Sequence, residues 1–168
     1  LQRVTQVVRE DGANDDEVYR YDASGQRILK ARVYNAHRKV HLCEIRYLPG
    51  LEIRRNSATG EWLNVVTVEG DLGSVRVLLW EQGMPSGMQE GQMRYSLSTH
   101  LGSRTLELDQ DARLLSQEDY YPYGGTSWLA SKNAIEATYK TLRFSGKERD
   151  ASGLYYFGYR YYAPWLFR

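Results

Sequence analysis

The sequence predicts an all-β protein in which antiparallel strands are joined by tight turns, with at most one short helix. Short runs rich in Val, Leu and Tyr alternate with turn-forming residues along the chain, as in successive hairpins. The four-residue turn Asp-Ala-Ser-Gly occurs at residues 22–25 and again at 150–153. Aspartate accepts backbone hydrogen bonds at the first position of such a turn, and glycine adopts the backbone angle that other residues resist at its end.

Taken in order, the predicted strands are short and end at turn-forming residues. They cover residues 4–9, 17–21, 26–34, 40–47, 51–55, 61–69, 74–80, 93–97, 104–108 and 113–121. Residues 57–60 and 109–112 look like degraded copies of the Asp-Ala-Ser-Gly turn, but the uneven spacing does not indicate a solenoid of fixed period. Hairpins added to one sheet would give on the order of ten strands, the size at which open sheets curl.

Two segments near the C-terminus are less regular. Residues 131–138 are a candidate helix with Ser131 as its N-cap, although at about two turns a strand or coil stays open as an alternative. Residues 155–162 are rich in Tyr and are predicted to form one strand. Gly158, in the middle of that strand, indicates a bulge or a close backbone approach.

Composition and charge exclude several classes of partner. The chain has 22 basic and 21 acidic residues, which are interspersed and give a net charge of +1. Neither nucleic acid nor an anionic membrane surface is therefore predicted as a partner. No apolar run approaches the length that spans a membrane. The N-terminal residues lack the order of a signal peptide and do not begin with Met, so we interpret the sequence as a processed or excised piece.

The sequence contains no recognisable catalytic motif, and no cofactor is predicted. A nucleophile elbow, a phosphate-binding loop and the common zinc-protease motif are all missing. Asp15, Asp16 and Glu17 are adjacent carboxylates, which we interpret as part of a solvated acidic loop over residues 10–17. Asp109 and Asp111 are interpreted as turn residues that bond to the backbone.

One stretch has residue types that bind zinc. His37, His41 and Cys43 share a face if the stretch is extended, because residues two and four apart lie on the same side of a strand. No fourth ligand is evident, so no metal site is predicted. Cys43 is the single cysteine, and the fold therefore has no internal disulfide.

Three segments resemble Rhs-repeat and YD-repeat proteins. They are YRYDASGQRIL at residues 19–29, YSLSTHLGSRTLELDQDARLLSQEDYYPYGGT at 95–126 and SGKERDASGLYYFGYRYYAPW at 145–165. The last is similar to the Rhs-repeat-associated core segment, and most similar to that of the C subunits of insecticidal Tc toxin complexes. The resemblance implies that residues 1–94 are YD/Rhs-repeat hairpins and that residues 95–168 are a truncated Rhs-repeat-associated core segment.

The resemblance also implies a function. Proteins of this family wind a β-sheet into a hollow shell that encapsulates a variable toxin tail, so we expect a structural shell segment of a secreted, extracellular bacterial virulence complex. The implied partners are the remainder of the C subunit and the B subunit. Exposed strand edges further favour self-association.

The enzymatic activity of this family is not expected in the chain. The family's shell ends in a processing site where two aspartates cut the chain, one of them in an Asp-Pro-x-Gly motif. This sequence departs from the pattern after Trp165 and matches neither aspartate. Only Arg160 matches a residue, one that supports the processing site, so no catalytic residue is predicted.

Two alternative functions remain open from the sequence. The chain is either a remnant of the self-cleaving aspartyl protease core that keeps some activity, or a carbohydrate- or cell-surface-binding YD-repeat module. In the second case the rings that stack on sugars would come from the four tryptophans, Trp62, Trp80, Trp128 and Trp165.

Overall fold

The large sheet contains eleven strands in strict sequence order. The computed structural model describes residues 2–8, 14–36, 39–71 and 73–168. The strands are β1 Gln2–Val8, β2 Asn14–Tyr21, β3 Arg27–Ala36, β4 Lys39–Leu48, β5 Leu51–Asn56, β6 Glu61–Gly70, β7 Gly73–Gln82, β8 Gln92–Ser98, β9 Arg104–Leu108, β10 Leu114–Tyr120 and β11 Thr126–Ser131. Pairing is antiparallel from β1 through β6 and from β8 through β11.

The remaining elements are short. Helix α1 spans Ala134–Thr138, and a single 3₁₀ turn follows at Phe144–Gly146. A three-stranded sheet is formed by β12 Glu148–Arg149, β13 Tyr155–Tyr156 and β14 Tyr161–Tyr162. The predicted all-β fold with one short helix is confirmed. No helix in the described part of the chain is long and apolar enough to cross a membrane.

Side-chain hydrogen bonds close the turns as the sequence predicts. Asp22 Oδ1 accepts from the backbone N–H groups of Ser24 at 2.9 Å and Gln26 at 2.8 Å. Asp109 Oδ1 accepts in the same way from Asp111 and Arg113, each at 2.9 Å. The degraded copy at residues 109–112 is therefore the same turn, although Ala112, with φ at 57°, takes the left-handed position that glycine occupies elsewhere.

The chain divides into two compact units. The first contains Leu1–Val66 and Leu78–Gly91, and the second contains Thr67–Val77 and Gln92–Arg168, so β6 and β7 contribute residues to both. The boundary predicted between residues 94 and 95 follows from sequence resemblance and stays a prediction.

The first unit has a mainly apolar core. Its buried hydrophobic side chains are Tyr19, Leu63, Val65, Leu78, Trp80 and Met88. Glu17 is buried beside them and accepts a hydrogen bond from the Tyr19 hydroxyl at 2.9 Å. The prediction that residues 10–17 form a solvated loop is wrong for residues 14–17, since β2 already begins at Asn14 and its alternation turns Glu17 and Tyr19 inward. Residues 10–13 lie outside the described residues.

Two C-terminal predictions need correction. The N-cap of α1 is Asn133, whose side chain accepts from Glu136 N–H at 2.8 Å, while Ser131 is the last residue of β11. Residues 155–162 form two strands rather than one, because the chain turns between them. Phe157 N–H donates to the Arg160 carbonyl at 2.9 Å, and Gly158 lies in this turn with φ at 84°.

Candidate functional site: a buried charged network in the second unit

Strand β8 buries its polar side chains and exposes its apolar ones. Gln92, Arg94 and Ser96 alternate with the exposed Met93 and two further apolar residues. A strand of this pattern normally turns its apolar face toward the core. Here the polar face is the covered one, so every buried donor and acceptor needs a partner.

Arg94 is the centre of the network. Its guanidinium is fully buried and reaches Glu136 through Nη1 and Glu107 through Nη2, both at 2.7 Å. The same Nη2 donates to the Glu136 carbonyl at 3.1 Å. Gln92 Nε2 donates to Glu136 at 3.0 Å, and Ser116 Oγ donates to Glu107 at 2.9 Å. The Arg94 guanidinium thus joins Glu107 of β9 to Glu136 of α1, and Ser116 of β10 bonds to Glu107.

A third carboxylate, that of Glu118 on β10, contacts side chains of the segment that follows α1. It accepts from Thr126 Oγ1 at 2.7 Å and from Arg143 Nη1 at 2.6 Å. Lys140 Nζ lies 3.6 Å from the other oxygen of Glu118 and donates to the Arg104 carbonyl at 3.0 Å. Glu118 and Lys140 are both completely buried as side chains. Arg76 adds a hydrogen bond from Nη1 to the Tyr139 carbonyl at 2.8 Å.

Burial and neighbouring charges shift the pKa values of three groups in the network. Burial favours the neutral form of Glu107, but the Arg94 guanidinium outweighs burial and keeps the pKa of Glu107 below its ordinary value. Burial lowers the pKa of Lys140, against the attraction of nearby Glu107 and Glu118. Burial, followed by the charge of Glu118, raises the pKa of Tyr120. Each of these three side chains is hydrogen-bonded to a neighbouring group. The arrangement is therefore suited to fixing the segment 133–143 onto the sheet.

A polar cleft of about 680 Å³ lies at one end of the same unit. It is lined by residues that include Glu69, His100, Ser145 and Lys147. Arg104 forms one wall and is tied to Glu69 by an ion pair of 2.6 Å. Within the described residues, no cluster of three His, Cys, Asp or Glu side chains is arranged to hold a metal ion.

The residues considered as acids in the sequence are not brought together for chemistry. Asp109 is occupied by its turn, and Asp111 pairs with Arg113 at 3.1 Å. Arg160 is exposed in the turn between β13 and β14, where its carbonyl accepts from Phe157.

His41 and Cys43, two of the three residues considered for zinc binding, lie in the described part of the chain. His41 packs on Tyr34 with ring centroids 5.4 Å apart. Cys43 is half-buried, and burial raises the pKa of its thiol. His37 lies outside the described residues.

The four tryptophans differ in how accessible their rings are for stacking on a sugar. Trp80 is buried and donates to Glu61 at 3.0 Å, while the guanidinium of Arg55 lies 4.3 Å from the ring centre of Trp62. Trp128 and Trp165 are exposed. One ring is therefore removed from solvent and a second already has a cation over one face, which does not favour a stacking surface built from all four.

The charged network was missed by sequence reasoning. The alternation of Gln92, Arg94 and Ser96 with apolar residues was visible, but it does not tell which face is covered. Glu136 was read only as part of a helix body. The contact between Glu136 and Arg94 joins residues 42 positions apart, and no local pattern indicates it.

Comparison with known proteins shows relatives over the whole chain. No family model matches. The chain is 46% identical to toxin subunit YenC2 and 41% identical to toxin subunit YenC1, both of Yersinia entomophaga, and it spans 18% of the length of each.

Solved structures agree with these relatives. The crystal structure of TcdB2-TccC3-Cdc42 contains a chain that matches 99% of this one with a TM-score of 0.92 and 50% identity. A Photorhabdus luminescens Tc holotoxin pore matches 98% with a TM-score of 0.89 and 49% identity. The present chain covers 8% of either matched chain. The resemblance found in the sequence is confirmed: the chain belongs to the Rhs-repeat C subunits of insecticidal Tc toxin complexes, of which it is one segment.

Proposed function

We propose that this chain is a non-catalytic structural segment of the shell with which a Tc toxin C subunit encloses its toxin tail. The observation that carries the proposal is the match of the entire chain to 18% of much longer toxin subunits. A sheet whose strands follow one another in sequence order is suited to being one stretch of a longer wall. The buried network supports a structural role, because Glu107, Glu118 and Glu136 each accept hydrogen bonds from fixed donors.

The partners in this proposal are the remainder of the C subunit and the B subunit, within an extracellular toxin complex. Strands β1 and β11 are the edges of the sheet and leave backbone groups open to a further strand. The isolated chain is therefore expected to self-associate through these edges. Arg160 would support the family's processing site from its exposed position in the turn before β14.

A segment exchange tests the proposal. The matching segment of YenC2 is replaced by this chain, and the hybrid subunit is produced with its B subunit. We expect one large assembly in which the C-terminal region resists added protease. A hybrid that carries a flexible linker of equal length should lose this protection. Equal protection by the linker would show that the segment is not part of the shell.

The non-catalytic part of the proposal has its own test. The purified chain is incubated from acid to neutral pH and its mass is followed with time. We expect no cleavage. Fragments that appear in the original chain but not in Asp109→Asn or Asp150→Asn would establish a self-cleaving activity instead.

A further inference from the structure

The segment that covers the charged network turns charged side chains toward the sheet. We call residues 133–141 the strap, all of which the structure describes. Of the three side chains that the strap buries, Glu136 and Lys140 are charged and only Tyr139 is hydrophobic. Ile135 is 37% exposed, so the helix in the strap turns an apolar side chain toward solvent. The strap thus differs from most surface helices, which turn their apolar side toward the core.

The contacts between the strap and the sheet are ionic and polar. Glu136 of the strap pairs with Arg94 of β8 at 2.7 Å. Lys140 of the strap lies 3.6 Å from Glu118 of β10 and donates to a backbone carbonyl of β9. Lifting a helix from an apolar face costs free energy in proportion to the apolar area exposed. For a buried ion pair, by contrast, hydration of the separated charges offsets much of the lost attraction. Separation of the strap from the sheet is therefore opposed less than separation of two apolar surfaces.

Backbone hydrogen bonds tie the chain to the sheet on both sides of the strap. Before the strap, Lys132 N–H donates to the Leu115 carbonyl at 2.8 Å. After it, Arg104 N–H donates to the Arg143 carbonyl at 3.0 Å. These two bonds involve no residue of the strap, so they can persist when the strap moves. We infer that the strap lifts from the sheet and closes again in a local opening, while the rest of the second unit stays folded.

The open form exposes groups that water can solvate. The network that the strap covers includes Gln92, Arg94 and Ser116, which are 6%, 0% and 0% exposed in the closed form. All three side chains are polar and hydrogen-bond to water once they are uncovered. Of the strap's own buried side chains, only Tyr139 adds apolar surface. The inference concerns motion within the chain and does not rest on the proposed function.

Thiol labelling with iodoacetamide tests the inference. Ser116→Cys places a thiol inside the network that the strap covers, in a chain whose single cysteine is first removed by Cys43→Ser. Val65→Cys in the same background places a thiol in the core of the first unit, and both positions are fully buried. The labelling rate is measured at urea concentrations below the unfolding transition. We expect the rate at Ser116→Cys to change little with urea, because a local opening exposes little surface, and the rate at Val65→Cys to rise steeply.

A substitution in the strap should change the opening at an unchanged thiol. Glu136→Gln removes the charge that pairs with Arg94 but keeps the size of the side chain. It should increase the labelling rate of Ser116→Cys about tenfold, because a charged hydrogen bond is about twice as strong as a neutral one. The matched control is Ile135→Gln, which changes the neighbouring, exposed residue of the same helix and should leave the rate unchanged.

Two results would overturn the inference. One is a labelling rate at Ser116→Cys that rises with urea as steeply as the rate at Val65→Cys, since the strap would then open only when the unit unfolds. The other is an equal labelling rate with and without Glu136→Gln. If circular dichroism shows that Ser116→Cys does not fold, Gln92→Cys replaces it, because Gln92 is 6% exposed and donates to Glu136. The same weak dependence on urea is expected there, and a steep one contradicts the inference equally.

Discussion

The interiors of the two units contain different types of residue. Among the described residues, the first unit buries six hydrophobic and two charged residues, whereas the second unit buries four hydrophobic and fourteen polar or charged residues. Hydrophobic side chains such as Leu63 and Leu78 fill the core of the first unit. The second unit buries ion pairs around Arg94 and Glu118. Apolar burial tolerates loose geometry, but a buried charge is stable only with its partner present. The second unit should therefore depend more sharply on single residues and on pH.

The largest expected effect follows from removal of the central cation. Arg94→Ala leaves Glu107 and Glu136 buried without their guanidinium, and breaking a buried pair costs about 3–5 kcal/mol. Urea unfolding of the variant should show a loss of this size in the second unit. The matched control is Arg46→Ala, which removes an exposed pair with Glu44 and should cost under about 1 kcal/mol. Similar losses in both variants would contradict a special role for the network.

Truncation of a buried hydrophobic side chain in the first unit measures how much apolar burial contributes to the free energy of unfolding. Leu63 is fully buried, and Leu63→Ala should lower the free energy of unfolding by about 2–5 kcal/mol through lost burial and a cavity. This loss should be the same at pH 4 and pH 7, since no ionisable group is removed. Unfolding by urea at both pH values tests this, and a strongly pH-dependent loss would show that charge also contributes in that unit.

Acid should weaken the second unit through Glu107. Its folded-state pKa is below the ordinary value of 4.5, so the unfolded state binds more protons as the pH falls below that value. The stabilisation is complete above about 4.5 and is lost as the pH decreases through the folded-state pKa. Chemical unfolding between pH 3 and pH 7 should give a smaller acid-dependent loss for Glu107→Gln than for the original chain. An identical pH profile would remove Glu107 as the cause.

The smallest effects are expected at the shared turns. Asp22 in the first unit and Asp109 in the second each accept two backbone hydrogen bonds of similar length. Asp22→Ala and Asp109→Ala should therefore lower the unfolding midpoint by similar, small amounts, and asparagine at either position should restore part of the loss. Thermal unfolding measures this. A much larger effect at Asp109 would mean that the turn supports more than its own hairpin.

The sequence predicted what depends on local chemistry. The turn at Asp22 and its degraded copy at Asp109 follow from side-chain bonds within four residues, so their type and position were readable. Strand β11 was not predicted, because residues 126–131 have no turn signal that separates them from the candidate helix. Asn133 rather than Ser131 caps that helix, since Ser131 still belongs to the sheet.

The burial of charge in the second unit was not predictable from the sequence. Alternation along β8 assigns Arg94 to one face, but which face is covered depends on Glu136 and Lys140, which approach from a later segment. The same limitation applies to Glu17, whose acidic neighbours suggested solvent although it pairs with Tyr19 inside the first unit. Resemblance indicated the family to which the chain belongs, but it gave no information on these contacts.

The sequence order of the strands also bears on how the chain folds during synthesis. Each strand of the large sheet neighbours those before and after it in sequence, so hairpins can form as they leave the ribosome, with little loop closure at each step. The Arg94–Glu136 pair spans 42 residues and cannot form until α1 has been made. During synthesis, Arg94 and Glu107 therefore stay exposed to water in a partly formed sheet. They become buried only after the segment that contains α1 has been translated.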